Sequence, residues 1–213
     1  YIDGVIILTD ELFLNVAMTM PKSMANGPGI RAVIWVQGCT IGCPGCYNVF
    51  THPHKMEKLA RPEDLADWIN SIEGIEGITF SGGEPFEQSE AVANVIKLVN
   101  AKRSENLSVF IFTGFDLQFL QNSQSESVLE LLSLADMLSA GPYLSSEHNS
   151  NLLWRGSNNQ KLIYLSERYN QSNEQEWLKQ SPVEELVLNE YTIQRTGFLG
   201  QKGHLKKLIE AIK

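Results

Sequence analysis

Short runs of β-branched and aromatic residues alternate along this chain with longer stretches whose apolar positions recur at helical spacing. Arg31–Gln37 is one such run and ends at Gly38. Gly77–Phe80, broken by Ser81-Gly82-Gly83, is a second, and Val109–Phe112, stopped at Thr113-Gly114, is a third. Between them, Arg61–Ile72 predicts a helix. Pro62 suits its first turn, Glu63 and Asp64 follow, and Leu65, Trp68, Ile69 and Ile72 fall on one side. Ser89–Lys102 likewise gathers Val92, Val95, Ile96 and Val99 on one face, and Val128–Leu134 closes a further helix. Met137–Ala140, Lys161–Leu165 and Glu185–Leu188 continue the strand series. Short buried strands alternating with helices predict an α/β fold built on a parallel sheet with crossover helices.

The two ends add to that series. Leu12–Ala17 reads as an additional strand before it, and Val183–Leu188 with Tyr191–Phe198 as a two-stranded ending. Leu205–Ile209 then predicts a final helix. No internal repeat and no long low-complexity linker interrupts the chain.

Composition sharpens the class. Of 213 residues, 43% are hydrophobic and 20% charged, as expected of a soluble globular protein with a real core. No apolar run reaches transmembrane length, and the start, Tyr1-Ile2-Asp3-Gly4, does not read as a signal peptide. A net charge of −8 argues against a nucleic-acid surface. All three cysteines fall in Cys39-Thr40-Ile41-Gly42-Cys43-Pro44-Gly45-Cys46. Three thiolates at this spacing suit three corners of a 4Fe–4S cluster and leave one iron open to a small molecule. Zinc is the other reading, with His52 or His54 as a fourth ligand. A disulfide fits less well, because one thiol is left over. Thiolates held for a cluster call for a reducing compartment, so the cytoplasm is expected.

Ligands of parallel α/β sheets gather beyond the carboxyl ends of the strands. The cysteine loop follows the first predicted strand, and Ser81-Gly82-Gly83-Glu84-Pro85 follows the second. Adjacent glycines let backbone approach a ligand closely, and Glu84 adds a carboxylate suited to an ammonium group. Taken alone, the same motif also reads as a solvated turn with a surface glutamate.

In combination, these motifs resemble the radical S-adenosylmethionine enzymes. More narrowly they are similar to the small activating branch, which includes the activase of anaerobic ribonucleotide reductase. Asn26-Gly27-Pro28-Gly29-Ile30-Arg31, Cys46-Tyr47-Asn48, Thr113-Gly114-Phe115 and Trp154–Gln160 carry the likeness across roughly residues 26 to 165. The resemblance implies an open, partial (β/α)6-type barrel with extra strands at both ends. The core would span 26–182, flanked by an N-terminal extension, 1–25, and a strand pair and helix, 183–213. It implies that Cys39, Cys43 and Cys46 ligate the cluster, and that S-adenosylmethionine occupies the open iron. Gly82, Gly83 and Glu84 would hold its ammonium, and Thr113 and Gly114 would line the nucleotide side. Arg155, Ser157 and Asn159 are expected near cofactor or substrate, Arg155 being equally suited to a structural ion pair. Tyr47 would pack by the adenine or simply against the loop. Met18, Met20 and Met24 read as core or lip packing.

The resemblance further implies that a 5′-deoxyadenosyl radical abstracts hydrogen from a polypeptide, with an electron donor such as flavodoxin or ferredoxin. Two polypeptides fit: a ribosomally made precursor peptide, as for spliceases, and a glycine loop of a large glycyl-radical enzyme. The extra residues at both ends, and the stretch from Lys22 to Cys39, incline the reading toward precursor-peptide maturation. A separate small leader-recognition protein or the terminal strands would then recognise the leader.

Overall fold

A computed structural model of the chain describes residues 11–181, 184–188 and 193–197. The helix expected at Leu205–Ile209 lies outside these residues, as do Tyr191 and Phe198 at the ends of the last expected strand. The order of elements is β1 (Leu14–Ser23), β2 (Arg31–Val36), β3 (Lys58–Ala60), α1 (Pro62–Asn70), β4 (Gly77–Gly82), α2 (Ser89–Ala101) and β5 (Ser108–Thr113). There follow α3 (Leu117–Gln121), α4 (Glu126–Leu134), β6 (Met137–Ala140), β7 (Lys161–Tyr164), α5 (Glu174–Gln180), β8 (Glu184–Leu188) and β9 (Ile193–Gly197). None of the described helices is long and apolar enough to cross a membrane.

Seven strands form one open sheet in the order β3-β1-β2-β4-β5-β6-β7, and β8 and β9 pair separately. The expected parallel arrangement holds for β2, β4, β5 and β6. It fails at the flanks, where β1 and β7 run antiparallel to their neighbours. The connections explain both, the first by its shortness and the second by its lack of a crossover helix. Seven residues, Met24 to Ile30, separate β1 from β2, and the 20 residues between β6 and β7 hold no α-helix, only the 3-10 turn Ser145–Glu147. A parallel return needs a crossover of a dozen or more residues, usually helical. The fold is therefore mixed α/β, and among the described residues the parallel run is four strands long.

Side-chain parity divides the sheet into two unlike faces. Ala32, Ile34 and Val36 of β2, Ile78 and Phe80 of β4, Val109 and Ile111 of β5, and Leu138 and Ala140 of β6 join one buried core. Leu65 and Ile69 of α1, Val92, Val95, Ile96 and Val99 of α2, and Leu131 of α4 close over it. α1 owes its start to Pro62 at the first position, with Glu63 and Asp64 in the first turn complementing the helix dipole. Burying each aliphatic side chain of this layer contributes about 1.5–3 kcal/mol. The opposite face carries Trp35, Thr79, Ser81, Phe112 and Ser139, three of them polar and buried in mid-strand. Polar positions inside central strands have to be paired or used, and this is the face that holds the site.

At the amino end of the sheet, Arg31 is completely buried and uses its whole guanidinium fork. It donates to Thr79 Oγ1, the Pro28 carbonyl, Ser108 Oγ and the carbonyls of Ile78 and Ser108. The Asn26–Ile30 turn is thereby fastened to β4 and β5. Burial pushes the guanidinium pKa down against this network.

Candidate active site

The carboxyl ends of all four parallel strands open on one cavity of about 320 Å³. β2 delivers Trp35 and, just beyond it, Cys39; β4 delivers Ser81, Gly82, Gly83 and Glu84. β5 contributes Phe112, Thr113 and Gly114, and β6 contributes Ser139 and Gly141. Cys43, Cys46, Tyr47 and His52 line the same space from the cysteine loop, and Met18 and Asn26 from the β1 side. Thr196 and Gly197 of β9 complete the lining described here.

The cysteine loop is pinned at its base. Gly38 N donates to the Thr51 carbonyl at 2.8 Å and Cys39 N to the His52 carbonyl at 3.0 Å. Inside the loop, Cys46 N bonds the Cys43 carbonyl, and Asn48 N approaches Cys46 Sγ at 3.4 Å. All three thiols are unpaired and partly exposed. Burial pushes the Cys39 and Cys46 thiols up, with the negative charges of Glu84 and Glu87 adding to the effect at Cys39. A bound metal cation would oppose this and favour the thiolate form. Among the described residues no three His, Cys, Asp or Glu side chains converge to grip a single ion. His54, one of the two histidines weighed for zinc, is engaged instead with Glu87 at 2.8 Å.

The Gly-Gly-Glu-Pro loop is bolted to this base. Gly83 N donates to the Val36 carbonyl and Glu84 N to the Gly38 carbonyl, each at 2.8 Å. A Cβ on Gly83 would overlap the Gly38 carbonyl oxygen, so only glycine permits the two loops to touch. Glu84 is no surface residue: it is 1% exposed. Its Oε1 accepts from Phe86 N at 3.0 Å and Thr113 Oγ1 at 2.9 Å, and its Oε2 from Gly114 N at 2.8 Å. Thr113 Oγ1 in turn accepts from Phe115 N at 3.1 Å, which fixes its rotor. Burial raises the Glu84 carboxyl to about 7 despite these three donors. A carboxylate has room for roughly four hydrogen bonds, so capacity remains on the cavity side.

The cavity selects charge. Among the described lining residues Glu84 is the one carboxylate, and no lysine or arginine joins it. A lone buried carboxylate beside three thiols favours a cationic guest, and S-adenosylmethionine carries both a sulfonium and an ammonium. The donor set thus fits both groups: three thiols from one loop for the cluster, and a fixed acceptor for the ammonium.

The remaining expected residues divide. Tyr47 lies on the cavity, its ring edge-on to Tyr143 at 5.7 Å, and its hydroxyl is 3.5 Å from His148 Nδ1. Arg155, Ser157 and Asn159 are not in the lining. Arg155 meets Glu174 at 3.4 Å and the Leu153 carbonyl, the structural ion pair weighed for it from sequence. Ser157 is fully buried and accepts from Leu144 N, while Asn159 Nδ2 donates to the Pro142 carbonyl. From the same motif it is Gly156 and Gln160 that reach the cavity. A Cβ on Gly156 would come within 2.9 Å of the Tyr47 ring and 3.0 Å of the Tyr143 ring, so this glycine is what lets both rings close in. Sequence reasoning quoted Ser81 only as part of its loop and passed over Ser139, Trp35 and Phe112. Their signal was available as polar or aromatic residues at the strand positions alternate to the helix-facing ones.

Comparison with known proteins agrees with this geometry. The family described as a 4Fe-4S single cluster domain matches residues 25–163. The anaerobic ribonucleoside-triphosphate reductase-activating protein of Escherichia coli (strain K12) is 30% identical over 158 residues, covering 71% of this chain and 99% of that protein. The protein of the same name from Vibrio cholerae is 31% identical over 153 residues, covering 69% and 96%. That from Enterobacteria phage T4 is 30% identical over 155 residues, covering 70% and 93%. Among solved structures, QueE from Escherichia coli aligns with a TM-score of 0.38 at 16% identity, over 61% of this chain and 70% of that one. That last likeness is too distant to bear on the site. With three cysteines and a buried carboxylate on one cavity, and relatives matched over nearly their whole length, the chain belongs to the 4Fe–4S single cluster family, as a radical S-adenosylmethionine enzyme of the activase-like branch.

Proposed function

We propose that this protein is an activase, which uses S-adenosylmethionine to abstract a hydrogen atom from a glycine in a loop of a large partner enzyme, leaving a stored glycyl radical there. The observation that carries this reading is that the reductase-activating protein of Escherichia coli is matched over 99% of its length. The extra residues at both ends had inclined the sequence reading toward a precursor peptide. They weigh less once the relatives' whole length falls within about seven-tenths of the chain. The comparisons lend no support to peptide maturation or to a leader-recognition partner.

When bound, the cluster supplies the single electron that splits the sulfonium carbon–sulfur bond and yields the 5′-deoxyadenosyl radical. The chain's own residues bind and orient. Cys39, Cys43 and Cys46 hold the cluster at the base of the cavity, and Glu84 receives the ammonium. Thr113 and Gly114 act in this reading by fixing the Glu84 carboxylate as well as by lining the wall. Tyr47 and Tyr143 form an aromatic flank of the cavity, where their rings exclude water. β9 adds Thr196 and Gly197 to the cavity wall.

The test is electron paramagnetic resonance on a partner reductase, incubated anaerobically with the cluster-loaded protein, S-adenosylmethionine and a reductant. The proposal expects a glycine-centred doublet on the partner that is lost when the target glycine is alanine. Absence of any partner radical alongside normal release of 5′-deoxyadenosine would move the substrate elsewhere.

A further inference from the structure

Glu87 stands one 3-10 turn beyond Glu84, in the Pro85–Gln88 turn, and reaches back to the cysteine loop. Its Oε1 accepts from Thr40 N at 2.7 Å and from Thr40 Oγ1 at 2.5 Å, and its Oε2 meets His54 Nε2 at 2.8 Å. Thr40 is the residue after the first cysteine. On the other side of that cysteine, Gly38 and Cys39 bond the Thr51 and His52 carbonyls, and Glu84 N bonds the Gly38 carbonyl. Cys39 is therefore gripped from both sides, by backbone before it and by a single carboxylate after it. The Glu87 side chain is 19% exposed against 56% for His54, so the carboxylate is the sheltered member of that pair.

We infer that Glu87 is a positioning residue for the cluster, clamping the loop at Thr40, and that its fixed negative charge lowers the cluster's reduction potential. Groups that orient a ligand from behind and charges close to an iron–sulfur centre tune its potential. Accepting an electron adds negative charge to the cluster, and a carboxylate held one residue from a ligating cysteine opposes that. The reduced cluster is then a stronger one-electron donor. Burial alone would push the Glu87 carboxyl up, but the Thr40 and His54 hydrogen bonds hold it below its ordinary value, so the charge is present. The inference rests on the three cysteines holding the cluster.

Two substitutions separate clamp from charge. Glu87→Gln keeps an oxygen for Thr40 and removes the charge, whereas Glu87→Ala removes both. The full chain is loaded with iron and sulfide anaerobically and titrated with dithionite, the reduced fraction being read by electron paramagnetic resonance. Glu87→Gln is expected to favour reduction by about tenfold, a rise of about 59 mV for one electron, with iron content unchanged. Glu87→Ala is expected to lose iron several-fold faster to a chelator. Glu63→Gln, on an exposed carboxylate of α1, is the charge-matched control and should leave the potential where it was. A wild-type potential in Glu87→Gln would overturn the inference, and so would wild-type iron retention in Glu87→Ala. Should Glu87→Ala fail to fold, the Glu87→Gln potential alone decides. A wild-type chain that takes up no iron would overturn the cluster reading itself, and this inference with it.

Discussion

Replacing Glu84 by glutamine isolates the one carboxylate among the described lining residues of the cavity. The carboxyl rises from 4.5 to about 7 through burial. At about 1.4 kcal/mol per pKa unit, this corresponds to a penalty of about 3 kcal/mol on the ionised form. A ligand ammonium offsets that penalty through a charge-assisted hydrogen bond of about 1.5–3 kcal/mol, or about tenfold to a hundredfold in Kd. Glutamine cannot replace it. Three donors converge on the carboxylate, and an amide that gives its oxygen to Phe86 N and Thr113 Oγ1 turns its NH2 against Gly114 N. Affinity for S-adenosylmethionine should therefore fall in Glu84→Gln by that factor while iron content stays near normal.

The pH dependence adds a signature that a merely structural glutamate would not show. Below about pH 7 the unliganded carboxyl is protonated, so binding an ammonium must expel a proton. Wild-type affinity should then weaken about tenfold per unit as pH falls below 7, and Glu84→Gln should be level across the same range. Stability runs in the opposite sense. The unfolded chain loses this proton near 4.5, before the folded one does near 7, so the unliganded protein loses stability as pH rises through that window. Anaerobic titration calorimetry from about pH 6 to about pH 8 reads the affinity, and thermal denaturation reads the slope of stability. Equal affinity in the two proteins, with the same pH profile, would refute the assignment of Glu84.

Each of Cys39→Ala, Cys43→Ala and Cys46→Ala should abolish cleavage of S-adenosylmethionine while leaving the circular dichroism spectrum close to wild type; full turnover by Cys43→Ala would contradict the ligand set. Gly83→Ala forces a methyl onto the Gly38 carbonyl, so iron content and cofactor affinity should drop together, measured by iron analysis and calorimetry on one sample. Glu185 ties the β8–β9 pair to Ser23 Oγ at 2.5 Å and Met24 N at 2.7 Å. Its alanine variant should slow partner activation about tenfold, the worth of one to two hydrogen bonds, with uncoupled 5′-deoxyadenosine release little changed; a parallel fall in both rates would make the pair merely structural. Ile96→Ala, in the middle of the helix layer, should cost about 2–5 kcal/mol of stability in denaturant titration.

What could be read from the sequence was whatever a short local pattern encodes. The α1 and α2 faces, the parallel core strands, the cysteine loop and Glu84 each follow from spacing within a dozen residues. Strand direction at the flanks does not, because a run such as Lys161–Tyr164 carries no mark of which way it pairs; only the missing crossover helix before it does. β3, three residues long, gives no periodicity at all. The Trp154–Gln160 motif misled in detail for the same reason. In an irregular loop nothing in the sequence says which side chains turn inward, and the structure turns Gly156 and Gln160 to the cavity while Arg155 turns to Glu174. Glu87 was invisible because its partners lie 47 and 33 residues away in the chain. The inclination toward a precursor peptide drew on the extra ends and the Lys22–Cys39 stretch, and the similarity to reductase-activating proteins supports the glycyl-radical alternative better.

The account turns on one cavity in which three thiols and one buried carboxylate meet, and its most direct test is iron content and 5′-deoxyadenosine release measured on the same anaerobically loaded sample. The prediction is about four irons with matching sulfide per chain, and reductant-dependent 5′-deoxyadenosine that disappears with any one of the three cysteines. One zinc per chain, with no cleavage of S-adenosylmethionine under reduction, would contradict it.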